Sequence, residues 1–309
     1  MARPTIAAVA ALTFACATAP LSTARMGPSP IAQLDHIMFL TPQPKAVISL
    51  LTDTLQLPLI WPAPGDGWSN SSGIAFGNTN LEIVHRATDT AFVSSLALQA
   101  RDWSSVESDL RKLGVEMRDP VPGPIDSARS PAEPRWTVRS FRGFGRGVFV
   151  MQYHQFDMDE RRARAARELV DRGGGALGVV RMREAVVAAE SLTVRAAAWM
   201  RLFGRPVSER LSWAVGDGPK ITVVDEDDTQ RDLLIVEVRS IARARHVLDS
   251  LGIRYAAISR ELRLDPGRTG GLRLTLLQAA AREAPRPRRR KGGGSTATGT
   301  VGPSHTSAH

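Results

Sequence analysis

Cysteine is nearly missing from this chain: Cys16 is the only one in 309 residues. An intramolecular disulfide is therefore excluded, and so is a zinc centre built on thiolates. Long apolar runs are also missing. The mostly apolar stretch from Ile6 to Cys16 is too short to cross a bilayer as a stable helix. No glycine pattern leads from a strand into a helix, so a nucleotide cradle has no support. There is no Ser-centred elbow or other nucleophile motif. Acidic residues are scarce only at the ends. The net charge is +9, of which residues 1–26 carry +2 and residues 282–309 carry +5, leaving +2 on 27–281. The central region is thus almost neutral, and specific nucleic-acid binding is not indicated. A composition 43% hydrophobic and 23% charged is that of a globular chain.

The two ends read differently from the middle. Arg3, the apolar run and the small residues around Ala17, Ala19 and Ala24 fit an export signal. Alternatively Met26, eight residues before the first strand, starts a protein that stays in the cytoplasm. Cys16 is a weak lipid-attachment candidate, because Thr13-Phe14-Ala15 supplies no Leu three residues earlier. At the other end, Pro285 to Lys291 is basic and is followed by Gly292-Gly293-Gly294 and a Ser/Thr/Gly/His run to His309. No periodic apolar face offsets the entropy of ordering it, so 281–309 is expected to be a disordered, solvated tail.

Between the ends, one order of elements recurs four times. Leu34–Leu40 alternates as a half-buried strand does. Ala46, Val47, Leu50, Leu51 and Leu55 follow at helical spacing. A Pro/Gly loop comes next, then short strands over 73–76 and 80–84. The second unit has a strand over 93–100, a helix from Trp103 to Leu113 ending at Gly114, and strands over 136–141 and 147–153. The third and fourth units run over about 178–225 and 232–277, with helices over 194–203 and 241–251. Asp157 to Arg172, acidic at its start and basic near its end, reads as a surface connector helix.

Only the first unit carries metal-ligand chemistry. His36 on its first strand and Glu82 on its last can both point into the hollow of a curled sheet, and borderline or hard divalent metals take that N/O ligation. Aligning the helices places Ser95, Glu184 and Leu233 at the His36 position. Aligning the closing strands places Gln152, Thr222 and Thr275 at the Glu82 position. The 176–280 half is therefore expected to bind no metal and to do no chemistry. His154 shares the Gln152 face if its strand continues, whereas His85 leaves the Glu82 face. Gly143, Gly145 and Gly147 are explained by a hairpin more simply than by an anion cradle.

The Leu34-Asp35-His36-Ile37 opening and the Leu81-Glu82-Ile83 closing strand, set in paired strand–helix–strand units, resemble the vicinal oxygen chelate superfamily. That superfamily includes glyoxalase I, methylmalonyl-CoA epimerase, extradiol dioxygenases and bleomycin-resistance proteins. The bacterial glyoxalase-like domain proteins are the nearest in flavour, through Ser69-Asn70-Ser71 ahead of Phe76-Gly77. The resemblance implies an α+β fold of paired βαβββ modules in two tandem domains, 30–156 and 176–280, joined by a linker helix within 157–175. It implies a four-ligand site drawn from His, Gln and Glu. His36, Glu82 and Gln152 match it, and the fourth position falls on Ser95, a poor ligand. A divalent Fe, Mn, Zn, Ni or Mg would suit such a set. Glu82 would serve as ligand or base, His154 would be a second candidate base, and Trp61, Trp68 and Asn70 would line the pocket. Two functions follow. One is metal-dependent lyase, isomerase or dioxygenase chemistry on a substrate with vicinal oxygens. The other is metal-free binding of a small molecule, in a monomer or a homodimer.

Overall fold

Residues 29–61, 71–87, 89–125 and 133–280 are described by the structure, a computed structural model. The N-terminal signal-like segment, Trp68, Asn70 and the basic tail lie outside them. The first module consists of β1 (Ile31–Thr41), α1 (Pro44–Ser49), β2 (Leu59–Trp61), β3 (Ser71–Ala75) and β4 (Asn80–His85). The second repeats it with β5 (Phe92–Ala100), α2 (Trp103–Lys112), β6 (Val121–Pro122), β7 (Trp136–Ser140) and β8 (Gly147–Tyr153). A connector helix, α3 (Met158–Asp171), follows. The third module has β9 (Val179–Ala189), α4 (Leu192–Phe203), β10 (Ser212–Trp213) and β11 (Lys220–Asp225). The fourth has β12 (Leu233–Val238), α5 (Ile241–Ser250), β13 (Tyr255–Ile258), β14 (Glu261–Leu264) and β15 (Arg273–Gln278). The fold is thus α+β with paired modules, as expected.

Each half makes one curled sheet. The first has strand order β2-β3-β4-β1-β5-β8-β7-β6 and the second β10-β11-β9-β12-β15-β14-β13. In both, the opening strands of two modules pair antiparallel at the centre, and each opening strand pairs parallel with its own closing strand. Strand alternation then splits each sheet into two faces. On the first sheet Leu34, Ile37, Phe39, Leu81, Ile83, Val148 and Val150 enter the main core. His36, Met38, Glu82 and Phe149 are left for the opposite face.

The first helix departs from its periodic pattern. It is α-helical only to Ser49, and Leu50–Thr54 closes a π-turn in which Leu55 N–H donates to the Leu50 carbonyl at 2.8 Å. The wider turn keeps Leu51 and Leu55 both buried.

Most buried apolar side chains of both halves form one continuous cluster, from Ile31 to Leu276. The junction is close. Met182 N–H donates to the Phe76 carbonyl at 2.9 Å and to Asn78 Oδ1 at 3.0 Å. Gly77 between them has φ +90, and a Cβ there would stand 2.5 Å from the Val180 carbonyl oxygen. Only glycine meets both demands. Nearby, the Trp199 indole donates to the Phe144 carbonyl at 3.2 Å and meets the Phe144 ring edge-on at 5.0 Å.

The connector helix adds a contact that the sequence reading did not include. Most of it lies at the surface, but one face is anchored. Met158, Ala165 and Leu169 are buried, and Ala165 packs with Ile60, Ala75 and Trp61. Ala75 lies on the same face of β3 as Gly73, the partner of Glu82. The helix therefore crosses the open face of the first sheet.

Candidate functional site

The site grows from β1. Its register to β5 shifts between Leu34 and His36, so Asp35 is the extra residue of a bulge. Strict alternation would put Asp35 and His36 on opposite faces. With the bulge, Asp35 Oδ2 meets His36 Nδ1 at 2.8 Å. On the other side of the ring, His36 Nε2 faces Glu82 Oε2 at 3.1 Å. Glu82 Oε1 accepts from the Ser71 hydroxyl at 2.6 Å. The imidazole thus lies between two carboxylates, with His36 3% and Asp35 1% exposed.

Further groups complete the network. The Tyr153 hydroxyl donates to Asp35 Oδ2 at 2.5 Å. Arg162, from α3, donates to Asp35 Oδ1, to Gln99 Oε1 and to Asp159. Gln33 Nε2 also reaches Gln99 Oε1, at 2.6 Å. Asp35, His36, Glu82 and Arg162 together form a balanced quartet of two anions and two cations.

The electrostatics follow from this packing. Burial alone would lower the His36 pKa, but the facing Glu82 charge and the hydrogen bond to Asp35 outweigh it and raise the value to about 10. Burial opposes ionisation of Asp35 and Glu82, yet the His36 imidazolium holds both carboxyls below their ordinary range, with Arg162 helping at Asp35. Burial and the neighbouring Asp35 push the Tyr153 hydroxyl well above its usual value. The tyrosine is therefore a neutral donor.

Two aromatic rings wall the imidazole. Trp61 and Phe149 each meet it edge-on with centroids 6.0 Å away. Trp61 lies flat over Gly73, where a Cβ would come within 2.3 Å of the indole. Gly73→Ala is expected to displace that ring and cost about 1–3 kcal/mol by overpacking. Urea unfolding of Gly73→Ala, Trp61→Ala and the double variant checks this. The double variant should be more stable than the sum of the single effects allows.

The expected residues are only partly brought together. His36, Glu82 and Trp61 converge. Gln152 and His154 do not. β8 alternates without interruption, and Phe149 and Tyr153 face His36, so Gln152 shares the opposite face with Val148 and Val150. His154 has the Gln152 parity; its Nε2 pairs with the Thr137 hydroxyl at 2.8 Å and its Nδ1 lies 3.6 Å from Glu133.

The register shows why the alignment of closing strands failed. Met38 pairs with Glu82 in the first module, and Ala97 pairs with Phe149 in the second. With His36 matched to Ser95, Ala97 is the counterpart of Met38, and Phe149, not Gln152, is the counterpart of Glu82. Ser95 itself packs against Gly147, where a Cβ would lie 2.2 Å from its hydroxyl. The third and fourth modules match the sequence alignment: Val186 pairs with Thr222 and Ile235 with Thr275, as Met38 does with Glu82. Thr222 donates to Glu184 at 2.5 Å, and Lys220 reaches Glu184 at 3.4 Å.

A divalent metal would find two side-chain donors here, His36 Nε2 and Glu82. A His whose second nitrogen rests on a carboxylate is a familiar support for metal ligation. The remaining positions around the hollow, however, are a packed serine and a phenyl ring. Among the described residues no cluster of three His, Cys, Asp or Glu could hold a metal ion. This donor set does not fit the four-ligand site.

Sequence reasoning missed Asp35, Tyr153 and Arg162. Asp35 was visible beside His36, but only the bulge turns it toward the ring. Tyr153 is one of two tyrosines in the chain and adjoins Gln152.

Comparison with solved structures shows that this fold is shared with extradiol ring-cleaving dioxygenases. The 2,3-dioxygenase LapB from Pseudomonas sp. KL28 superposes with a TM-score of 0.53 at 11% identity, covering 82% of this chain and 94% of that one. Homoprotocatechuate 2,3-dioxygenase from Arthrobacter globiformis gives 0.51 at 12% identity, covering 82% and 81%. A variant of the B. fuscum homoprotocatechuate 2,3-dioxygenase gives 0.53 at 12%, covering 82% and 73%. No family model and no curated protein matches the sequence. No helix among the described residues is long and apolar enough to cross a membrane.

Proposed function

We propose that the first half is a metal-free binding cup for a small aromatic or apolar molecule bearing a polar group. The observation that supports this most is the pair Ser95 and Phe149 at the positions opposite His36 and Glu82. An aromatic wall stands where further ligands would be needed. Trp61 and Phe149 offer edges to a flat apolar body, while Glu82, oriented by the Ser71 hydroxyl, offers an acceptor to its polar end.

Metal-dependent dioxygenase, lyase or isomerase chemistry is the second reading. It is favoured by the Asp35-supported His36 facing Glu82 and by the likeness to dioxygenases. One of those, from Brevibacterium fuscum, was solved with 3,4-dihydroxyphenylacetate bound. That compound is a suitable probe, being a flat ring with vicinal oxygens. The full chain, purified without a His tag, would be titrated with it by calorimetry in EDTA and then with Fe, Mn or Zn added. Saturable binding in EDTA, weakened about tenfold by Glu82→Gln, supports the metal-free cup; the loss is that of one charged hydrogen bond. Binding that appears only with metal and vanishes in His36→Ala sinks it and favours the second reading.

A further inference from the structure

The second half holds a cavity of about 420 Å3 beside the fourth module, lined by Arg254, Arg263, Arg273, Thr275, Gln230 and Tyr255 among others. Its chemistry is unlike that of the first site. Thr275 stands where Glu82 stands in the first module, since Ile235 pairs with Thr275 as Met38 pairs with Glu82. It is 1% exposed, and its hydroxyl has no hydrogen-bond partner. Arg263, directly across from Thr275 on β14, has a buried Nε that is also without a partner. Buried polar groups are rarely left unpaired, because each has given up its water for nothing in return.

The charges are arranged to match. Arg273 donates to the Arg231 carbonyl at 2.9 Å and to the Thr229 carbonyl at 2.5 Å. Those acceptors are neutral, so they hold the guanidinium in place without cancelling its charge. Two carboxylates lie nearby: Asp265 is 3.3 Å from Arg254 and Glu261 is 3.5 Å from Arg263. Asp232, adjoining Leu233 of the lining, is engaged by Arg146 at 2.9 Å. Asp232 also feels Arg231 and Arg273. Five guanidiniums (Arg146, Arg231, Arg254, Arg263 and Arg273) therefore stand against three carboxylates (Asp232, Glu261 and Asp265), and a cationic excess remains beside the unpaired Thr275 hydroxyl. Leu233, which lies outside the main core, gives the cavity an apolar edge, whereas Leu264 and Leu274 turn their side chains into the core on the other face of the sheet.

We propose that this cavity is a second binding site, which takes a small organic oxyanion. Arg273 and Arg263 hold the anionic group, Thr275 donates to it, and Leu233 borders its apolar part. Guanidinium forks suit both carboxylate and phosphate, so the anionic group is the shared chemistry. The site is separate from the cup of the first half and does not depend on how that cup functions.

The test titrates the full chain by calorimetry with inorganic phosphate and with succinate, at fixed ionic strength. One-site saturable binding of either is expected, about tenfold weaker in Arg273→Gln and severalfold weaker in Thr275→Val. Arg260→Gln removes the same charge from an exposed turn and should leave binding unchanged. Preference for phosphate or for succinate identifies the anionic group. Thr275→Val should be at least as stable as the parent without anion, since it removes a hydroxyl that is unpaired. If Arg273→Gln does not fold, Arg263→Gln replaces it in the comparison. No saturable binding of either anion would overturn the proposal. So would equal weakening by Arg260→Gln and Arg273→Gln, which would mean an adventitious ion only.

Discussion

Asp35→Asn is expected to destabilise the protein by about 3–5 kcal/mol, the cost of breaking a buried charge network by removing one partner. Asp35 is contacted by His36, Tyr153 and Arg162 at once. The amide keeps the volume but loses the charge. His36 would then keep only Glu82 as a counter-ion, and Arg162 would keep only Gln99 and Asp159. The asymmetry against the surface pairs is large. Arg111–Glu107 on α2 is exposed, so breaking it should cost under about 1 kcal/mol. Urea unfolding of Asp35→Asn beside Arg111→Gln, which leaves the second Glu107 pair to Arg139 intact, measures both. Equal, small losses would show that the quartet is not coupled as its geometry indicates.

Alkali should weaken the fold through His36. Its folded-state pKa is raised from 6.5 to about 10. A raised value means that the stabilisation is complete below 6.5 and is lost as pH climbs toward 10. In that window the native state holds one proton more than the unfolded chain. Stability therefore falls by at most about 1.4 kcal/mol per pH unit from this group. On the acid side the sign reverses. Asp35 and Glu82 are held below their ordinary range, so their contribution is present above it and fades as pH falls through it. The parent should be most stable between the ordinary carboxylate range and about 6.5. His36→Gln should lack the alkaline slope and be far less stable at about pH 6, with the two curves converging toward about pH 10. Parallel curves across that range would remove His36 as the titrating group.

How much of this was legible in the sequence depends on which contacts each residue makes. The recurrence of strand, helix and closing strands exposed the four modules, because alternation and helical spacing are local properties. His36 and Glu82 were found for the same reason: each sits on a strand whose inward face is fixed by its own apolar neighbours. Gln152 was misplaced because matching closing strands by pattern alone leaves the register free, and a shift of an odd number of residues moves a side chain to the other face. Phe149 takes the position, as only the pairing with Ala97 reveals. Asp35 depended on a bulge, which has no sequence period. Arg162 depended on where a helix lies after leaving one sheet for the next. Nothing in the composition of α3 states that, since its visible signal was charge, and charge suggested solvent.

The placement of α3 has a consequence for anyone cutting this chain. A fragment ending at residue 156 would keep every strand of the first sheet and look complete by sequence repeats. It would also leave behind Arg162, the cation on Asp35, and Ala165, which packs on Trp61 and Ala75. Module boundaries and the boundaries of an independently viable piece therefore do not coincide here. A cut past Asp171 keeps those contacts but still divides the core that the two halves share and the Met182–Phe76 hydrogen bond, so neither half is severed cleanly.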